Sequence, residues 1–182
     1  YRGVFGHADL QGRQPLREDA IFRLYSMSKP VISVAALMLA EEGRLQLDAP
    51  VATYLPAFAG LQRVAGGSVE APELVPVQRV LTVRHLLTHT AGFATGGDDI
   101  RVASALLQAE APEDATDLAG YAQRVARAPL ATEPGTRFRY DGVNTEVLAR
   151  VVEVASGQPF DVFLRTGIFR PLGMPDTGLG VP

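Results

Sequence analysis

A serine and a lysine three residues apart could form the reacting pair of a nucleophilic enzyme. They are Ser26 and Lys29, in the run Ser26-Met27-Ser28-Lys29. Residues three apart lie on the same face of a helix, so the hydroxyl and the amine can meet. A serine hydroxyl is a weak nucleophile until a neighbouring base takes its proton, and an unprotonated amine can be that base. The pair is therefore a candidate nucleophile and general base.

Lys29 is the only lysine among 17 basic residues, and the other 16 are arginine. Arginine does not give up its proton in a protein, whereas a lysine that loses solvent can do so. The one exception to the arginine bias thus stands where a base is needed. The alternative is a serine that caps a helix beside an unrelated lysine, and these four residues alone leave both interpretations open.

The pair lies where the hydrophobic pattern changes from strand to helix. Segments 1–10 and 20–25 are short and rich in aromatic and branched residues, which predicts two strands. From Ser26 onward apolar residues recur at helical spacing as far as Gly43, which predicts a nucleophile helix over 26–43. The free N–H groups at the start of that helix could stabilise an oxyanion beside Ser26.

The remaining residues, 44–182, predict a mostly helical subdomain with irregular loops. A loop rich in Gly and Pro is predicted over 65–75, and extended chain over 138–140. Capping residues and helical spacing predict further helices over 82–89, 118–128, 145–155 and 159–168. A ribbon of two strands is marginally stable alone. We therefore expect 1–182 to be the N-terminal part of a single domain, whose sheet is completed by strands that this sequence lacks.

Composition excludes several classes of protein. Apolar residues make up 47% of the chain and charged residues 20%, which is typical of a globular protein. The net charge of -3, with both signs spread along the chain, argues against binding to nucleic acid or to an anionic membrane. No apolar run approaches the roughly 18 residues of a membrane-spanning helix. The absence of cysteine excludes disulfides and thiolate sites but does not fix the compartment.

Other catalytic and metal-binding patterns are weaker. His85 and His89 have the spacing of a zinc-binding helix, but Leu86 stands where a metalloprotease has glutamate and no third ligand is evident. We favour packing or helix capping for both histidines. The chain has no Gly-X-Ser-X-Gly elbow and no phosphate-binding loop, and no cofactor or metal is implied.

Five segments, in order, resemble the serine β-lactamase and penicillin-binding protein superfamily. The resemblance covers nearly all of the chain and is greatest to the class C-like branch, which includes family VIII-type esterases. The segments are DAIFRLYSMSKP (19–30), LDAPVATYLP (47–56), LTVRHLLTHTAGF (81–93), PGTRFRY (134–140) and VLARVVEVASGQPFDVFLRTGIFRPLGMPDTG (147–178).

The resemblance implies a fold and three catalytic residues. The expected fold class is α/β (α+β), of the β-lactamase/transpeptidase-like type, with an antiparallel sheet flanked by helices and a helical subdomain. In that family the serine and lysine of the first motif are nucleophile and base, which implies these roles for Ser26 and Lys29. The tyrosine of the second motif, Tyr-X-Asn, takes part in proton transfer, and Tyr140 falls at its place. Without the resemblance, Tyr140 would be interpreted as a solvent-facing strand residue.

The sequence departs from the family pattern at two points. Gly142 stands where lactamases and peptidases of the family keep an asparagine that contacts the substrate amide, and Asn144 lies two places too late to be equivalent. The third motif, which contributes an oxyanion N–H from a later strand, is absent from this sequence. Because losing one such donor typically costs roughly 100-fold or more in turnover, this chain alone is expected to be a poor catalyst.

The expected function is hydrolysis of a small-molecule ester or amide through an acyl-enzyme on Ser26. Esters are favoured because of Gly142, and β-lactams or D-amino-acid peptides are the alternatives. The expected partner is the missing C-terminal segment, from the same gene product or a second chain. A scaffold or binding protein that keeps the fold without the chemistry is the alternative of another class.

Overall fold

The computed structural model describes residues 3–93 and 95–180. Ten regular elements are found there: β1 His7–Asp9, β2 Gln14–Pro15, α1 Ser28–Glu41, β3 Gln62–Gly67, β4 Pro72–Pro76, α2 Val83–Leu87, α3 Arg101–Ala109, α4 Leu118–Arg127, α5 Gly142–Ser156 and α6 Phe160–Leu164. Short 3-10 turns lie between several of them, and a π-helical turn over Arg165–Phe169 follows α6.

Helix α5 is the centre of the core. It packs against α1, α2, α4 and α6, and the side chains of Val147, Val151 and Val152 on it are fully buried. Helix α1 meets it with a face that includes Ala35 and Ala36, whose small side chains allow the two helices to approach closely. Burial of a branched aliphatic side chain contributes roughly 1.5–3 kcal/mol, so this contact anchors the candidate nucleophile helix.

The predicted nucleophile helix is present but shorter than predicted. It begins at Ser28 and ends at Glu41, and Ser26 lies on the 3-10 turn Tyr25–Met27 just before it. Gly43 follows in the left-handed conformation (φ +71°), which glycine adopts without steric cost. The pattern therefore predicted the helix correctly and misplaced its first turn.

The two predicted N-terminal strands are mostly not found. In the first segment only His7–Asp9 is a strand; it pairs antiparallel with Gln14–Pro15, and Tyr1 and Arg2 lie outside the described residues. Residues 20–24 form no regular structure. A strand is defined by hydrogen bonds to a neighbour, and nothing in the described chain pairs with this apolar segment.

The prediction of a loop over 65–75 is wrong, because this region lies within an antiparallel hairpin of β3 and β4. Gly67, the last residue of β3, has φ +85°, and a Cβ there would collide with the Ala71 carbonyl oxygen. Gly66 and Gly67 thus lie within the paired strand, where the register is irregular, rather than in a loop. Backbone hydrogen bonds from Val64 N–H to Leu130 O (2.9 Å) and from Leu130 N–H to Gln62 O (2.8 Å) attach the hairpin to the body.

The later helices were largely predicted, apart from their ends. Helix α2 follows the cap Thr82, and α4 follows Asp117, whose carboxylate accepts from the Gly120 N–H (2.7 Å). Helix α5 starts three residues earlier than predicted, and α3 was not predicted at all. No helix in the described ranges is long and apolar enough to cross a membrane.

Candidate active site

The structure brings Ser26 and Lys29 together. Lys29, the second residue of α1, donates from Nζ to Ser26 Oγ over 3.1 Å. Ser26 is exposed, whereas Lys29 is half-buried. A hydroxyl and an amine at this distance can exchange a proton directly. The spacing predicted this contact, although it forms across the junction of a 3-10 turn and a helix.

The turn that carries Ser26 has an unusual backbone. Tyr25 adopts the left-handed conformation (φ +46°), which costs a residue with a side chain roughly 1–2 kcal/mol. The Ser28 hydroxyl donates to the Tyr25 carbonyl (2.7 Å), and the Met27 N–H donates to the Leu24 carbonyl (3.0 Å). These two hydrogen bonds hold the tight turn that sets Ser26 at the surface.

Tyr140 lies beside the same pair. Lys29 Nζ is 5.1 Å from the centroid of the Tyr140 ring, within the range of a cation–π contact. A hydrogen bond with Ser26 is the largest influence on the Tyr140 hydroxyl and lowers its pKa below the ordinary value. A hydrogen bond with Lys29 lowers this pKa further. Tyr140 is 56% exposed, so solvent weakens this effect. All three predicted residues therefore meet, although 111 positions separate Lys29 from Tyr140 in the chain.

His89 makes four contacts with the Tyr140 segment, residues 138–141. Its carbonyl accepts from the Arg139 N–H (2.9 Å), and its Nδ1 accepts from the Asp141 N–H (3.2 Å). Its ring lies against the Tyr140 ring, with centroids 4.9 Å apart and planes inclined by 31°. The Phe138 ring meets it edge to face at 6.2 Å. His89 itself has a left-handed backbone (φ +53°).

Asp141 fixes the chain immediately after Tyr140. Its carboxylate is buried and accepts from both the N–H and the hydroxyl of Thr95 (2.8 Å each). The other carboxylate oxygen accepts from the Val143 N–H (2.9 Å), which caps α5. An acidic side chain at a helix N-terminus also interacts favourably with the helix dipole. Asp141 thereby links the start of α5 to the loop that contains Thr95.

A cluster of charges holds that loop against the Tyr140 segment. Asp99 accepts from the Arg139 guanidinium (2.7 Å) and forms an ion pair with Arg137 (2.9 Å). Although partial burial acts in the opposite direction, hydrogen bonding to Arg139 and the charges of both arginines keep the pKa of Asp99 below its ordinary value. The residues on either side of Phe138 are thus tied to one carboxylate.

The space beside Gly142 is open. A Cβ at this position would lie 3.9 Å from Glu146 Oε1, an ordinary van der Waals distance, so a side chain is sterically possible. Asn144 does not fill the role of the missing asparagine. It is buried, its amide donates to the Asp141 carbonyl (3.2 Å), and its Oδ1 is enclosed with no hydrogen-bond partner in the described chain.

His85 has a local structural role. Its Nδ1 accepts from the Thr82 N–H (3.2 Å), which completes a capping box at the start of α2. Within residues 3–93 and 95–180, no group of three or more His, Cys, Asp or Glu side chains could hold a metal ion. The two histidines of the zinc-like spacing therefore serve separate hydrogen bonds.

Sequence reasoning missed His89 and Asp141 as parts of this site. Asp141 could have been found, because an aspartate directly before a helical pattern is a common N-cap. The contacts of His89 with residues 138–141 depend on tertiary structure, and its spacing to His85 suggested another use. The sequence offered no comparable signal for them.

The comparisons with known proteins agree with this geometry. The chain matches the Beta-lactamase family over residues 1–182. It is 37% identical to esterase EstB of Burkholderia gladioli over 183 residues, covering 98% of this chain and 43% of EstB. It is 30% identical to penicillin-binding protein 4* of Bacillus subtilis, covering 97% of this chain and 34% of that protein.

A solved structure gives the same fold. The hydrolase EstCE1, described as having promiscuous acyltransferase activity, superposes with a TM-score of 0.70 at 30% identity, over 92% of this chain and 42% of EstCE1. This chain thus spans about two fifths of the length of EstB and EstCE1. The predicted β-lactamase/transpeptidase-like fold is confirmed. The chain belongs to the beta-lactamase family of serine hydrolases, with esterases and penicillin-binding proteins among its relatives.

Proposed function

We propose that this chain carries the catalytic serine, lysine and tyrosine of a hydrolase that forms an acyl-enzyme on Ser26. The observation that carries the proposal is the 3.1 Å contact between Lys29 Nζ and Ser26 Oγ, with Tyr140 beside both. Nucleophile, base and a further proton carrier are then in reach of one another, which is the arrangement that nucleophilic catalysis needs.

The reaction proceeds in two steps. Ser26 Oγ attacks the substrate carbonyl while its proton passes to Lys29, assisted by Tyr140. The tetrahedral intermediate collapses to the acyl-enzyme, and the leaving alcohol takes the proton. Water then attacks the acyl carbonyl, gives its proton to the same groups, and releases the acid as Ser26 Oγ is protonated again. Proton transfer by positioned groups contributes roughly 100- to 10,000-fold to such a reaction.

Esters are the proposed substrates. Gly142 leaves open the place where lactamases and peptidases of the family keep an amide-binding asparagine, and Asn144 is turned inward. An ester has no amide N–H to pair and a better leaving group, so it depends less on that contact. The similarity to esterase EstB supports the same choice.

The open surroundings of the site suggest that its walls come from elsewhere. Ser26 and Tyr140 are both exposed, whereas acyl transfer benefits from a site that excludes water. The relatives are more than twice as long as this chain. We propose that full activity requires polypeptide equivalent to the part of those relatives that this chain does not match.

Intact-mass spectrometry tests the proposal. The full-length natural protein is incubated with a fluorophosphonate and, separately, with a penicillin, and the modified peptide is sequenced. We expect fluorophosphonate labelling on Ser26 that is lost in Ser26→Ala and kept in Ser68→Ala, which removes an exposed hydroxyl between β3 and β4. Faster labelling by penicillin would instead favour a lactamase or peptidase.

The same experiment on the 182-residue chain tests the need for further polypeptide. We expect slow or no labelling there and labelling in the full-length protein. A folded full-length protein that neither reagent labels would overturn the hydrolase proposal and favour a scaffold or binding role.

A further inference from the structure

We propose that neutral His89 is a positioning residue that holds Tyr140 beside Ser26 and Lys29. The inference rests on the proposed function. The backbone N–H groups on either side of Tyr140 donate to His89, that of Arg139 to its carbonyl (2.9 Å) and that of Asp141 to its Nδ1 (3.2 Å). Its ring covers one face of the Tyr140 ring. One residue thus constrains both the backbone and the side chain of Tyr140.

The need for such support follows from the exposure of Tyr140. Tyr140 lies among residues with no regular secondary structure, 138–140, and is 56% exposed. An exposed side chain on irregular backbone would otherwise sample several rotamers. A displacement of about 1 Å can cost as much as 100-fold in rate, so a fixed ring matters for proton transfer.

The hydrogen bond from the Asp141 N–H defines the protonation state that this role requires. His89 Nδ1 can accept it only while it carries no proton, so the remaining proton of the neutral ring lies on Nε2. Protonation would place an N–H on Nδ1 facing the Asp141 N–H. Because both groups are donors, this hydrogen bond to the Tyr140 segment would be lost.

The charged and titratable groups around His89 come from three elements. Lys29 faces it from α1, Tyr140 from the irregular segment, and Asp141 from the start of α5. Burial is the largest influence and lowers the pKa of His89, and the charge of Lys29 lowers it further, whereas the carboxylate charge of Asp141 raises it. The neutral ring is therefore the form near neutral pH.

Three substitutions separate the contacts. His89→Phe keeps a ring against Tyr140 and removes the acceptor, whereas His89→Asn keeps an acceptor, tolerates the left-handed backbone and removes the ring. His89→Ala removes both. His85→Gln is the matched control, because glutamine can keep the capping box of α2.

Steady-state hydrolysis of a p-nitrophenyl ester by the full-length natural protein gives the first measurement. We expect kcat to fall by about 10- to 100-fold in His89→Phe and His89→Ala with KM little changed, and His89→Asn to recover part of the loss. In wild type an ionisation on the acid side of the pH–rate profile should disappear in His89→Asn. His85→Gln should match wild type in both respects.

Histidine NMR of the unmodified full-length protein keeps the proposal testable even where a variant does not fold. We expect His89 to be the Nε2–H tautomer at pH 7.5 and its protonation to coincide with the acid-side fall in kcat. A positively charged His89 at pH 7.5, or variants with unchanged kcat and pH profile, would show that it does not position Tyr140. Absence of Ser26 labelling in wild type would instead mark failure of the proposed function itself.

Discussion

At the residue scale, Lys29 is the residue that contacts both other members of the candidate site. It contacts Ser26 through its amine and Tyr140 across the ring face, and it is the only lysine in the chain. Arginine could make the cation–π contact and even a hydrogen bond to Ser26, but it could not accept a proton. Packing alone would therefore tolerate either lysine or arginine at position 29, whereas the proposed proton transfer requires lysine.

Lys29→Arg should abolish most activity of the full-length protein while leaving its fold intact. We expect kcat/KM for an ester to fall by about 100-fold or more, since general base catalysis contributes at least that much. The measurement is steady-state kinetics, with circular dichroism as the test of folding. Near-normal turnover in a folded Lys29→Arg protein would show that Lys29 is not the base.

Gly142→Asn tests the basis of the ester preference. The position has room for a side chain, so the variant should fold, and it recreates the Tyr-X-Asn pattern beside Tyr140. We expect penicillin to acylate Ser26 faster relative to an ester than in wild type, measured by intact mass against time. Gly142→Ala is the control for added bulk. Equal changes in both variants would mean that the amide contact is not the reason for the preference.

At the element scale, the site depends on where two helices begin. Helix α1 starts just after the turn that carries Ser26, and α5 starts just after the segment that carries Tyr140. The two helices pack together in the core, so their first turns are held side by side. The cap of α5 is consequently part of the support of the site as well as of the helix.

Asp141→Ala should destabilise the protein more than the loss of an ordinary cap. Its buried carboxylate accepts three hydrogen bonds, whereas the exposed cap Asp117 accepts one from Gly120. We expect about 3 kcal/mol for Asp141→Ala and about 1 kcal/mol for Asp117→Ala in the free energy of unfolding from urea titrations. Only Asp141→Ala should also lower kcat. Similar losses in the two variants would contradict the structural role assigned to Asp141.

The same scale explains what the sequence could predict. Local apolar spacing and capping residues predict four of the helices, α2, α4, α5 and α6. The contact between Ser26 and Lys29 is predicted because the two residues are three positions apart, about one helical turn. Residues 20–24 have a strand-like composition, but pairing requires a neighbour. The β3–β4 hairpin was missed because its glycines suggested a loop. His89 was missed because its partner Tyr140 lies 51 positions further along the chain.

At the scale of the whole molecule, the candidate site adjoins much exposed apolar surface. Ile21, Phe22 and Leu24 before the site, and Val34 and Leu37 on α1, are all exposed. A large exposed apolar patch usually marks a surface that binds a polypeptide, a membrane or a ligand. With relatives more than twice as long, we expect further polypeptide to cover it in the full-length protein.

The stability of the protein should depend on pH through the titration of two half-buried histidines, His85 and His89. Burial is the largest cause of the lowered pKa of both His85 and His89. Below the ordinary value of 6.5 the unfolded chain therefore binds protons before the folded chain does, and stability falls as the pH falls. We expect a lower free energy of unfolding at pH 5.5 than at pH 7.5 in urea titrations of the full-length protein.

A variant with His85→Gln and His89→Asn is the control for this slope. Glu146 acts in the opposite direction, because burial raises its pKa, but it is present in both proteins. The difference in slope between them therefore isolates the histidines. A double variant whose stability depends on pH as strongly as that of wild type would contradict the assignment.

The left-handed backbone at Tyr25 and at His89 has a consequence for the evolution of the chain. Among the described residues, these are two of four non-glycine positions with this conformation, and both adjoin the candidate site. Glycine at either position would relieve strain, so selection for folding alone favours it. Lineages that have lost the activity should therefore drift to glycine or asparagine at position 89, while active lineages retain the histidine that contacts Tyr140. Natural variation at this position should thus show whether the chemistry is under selection.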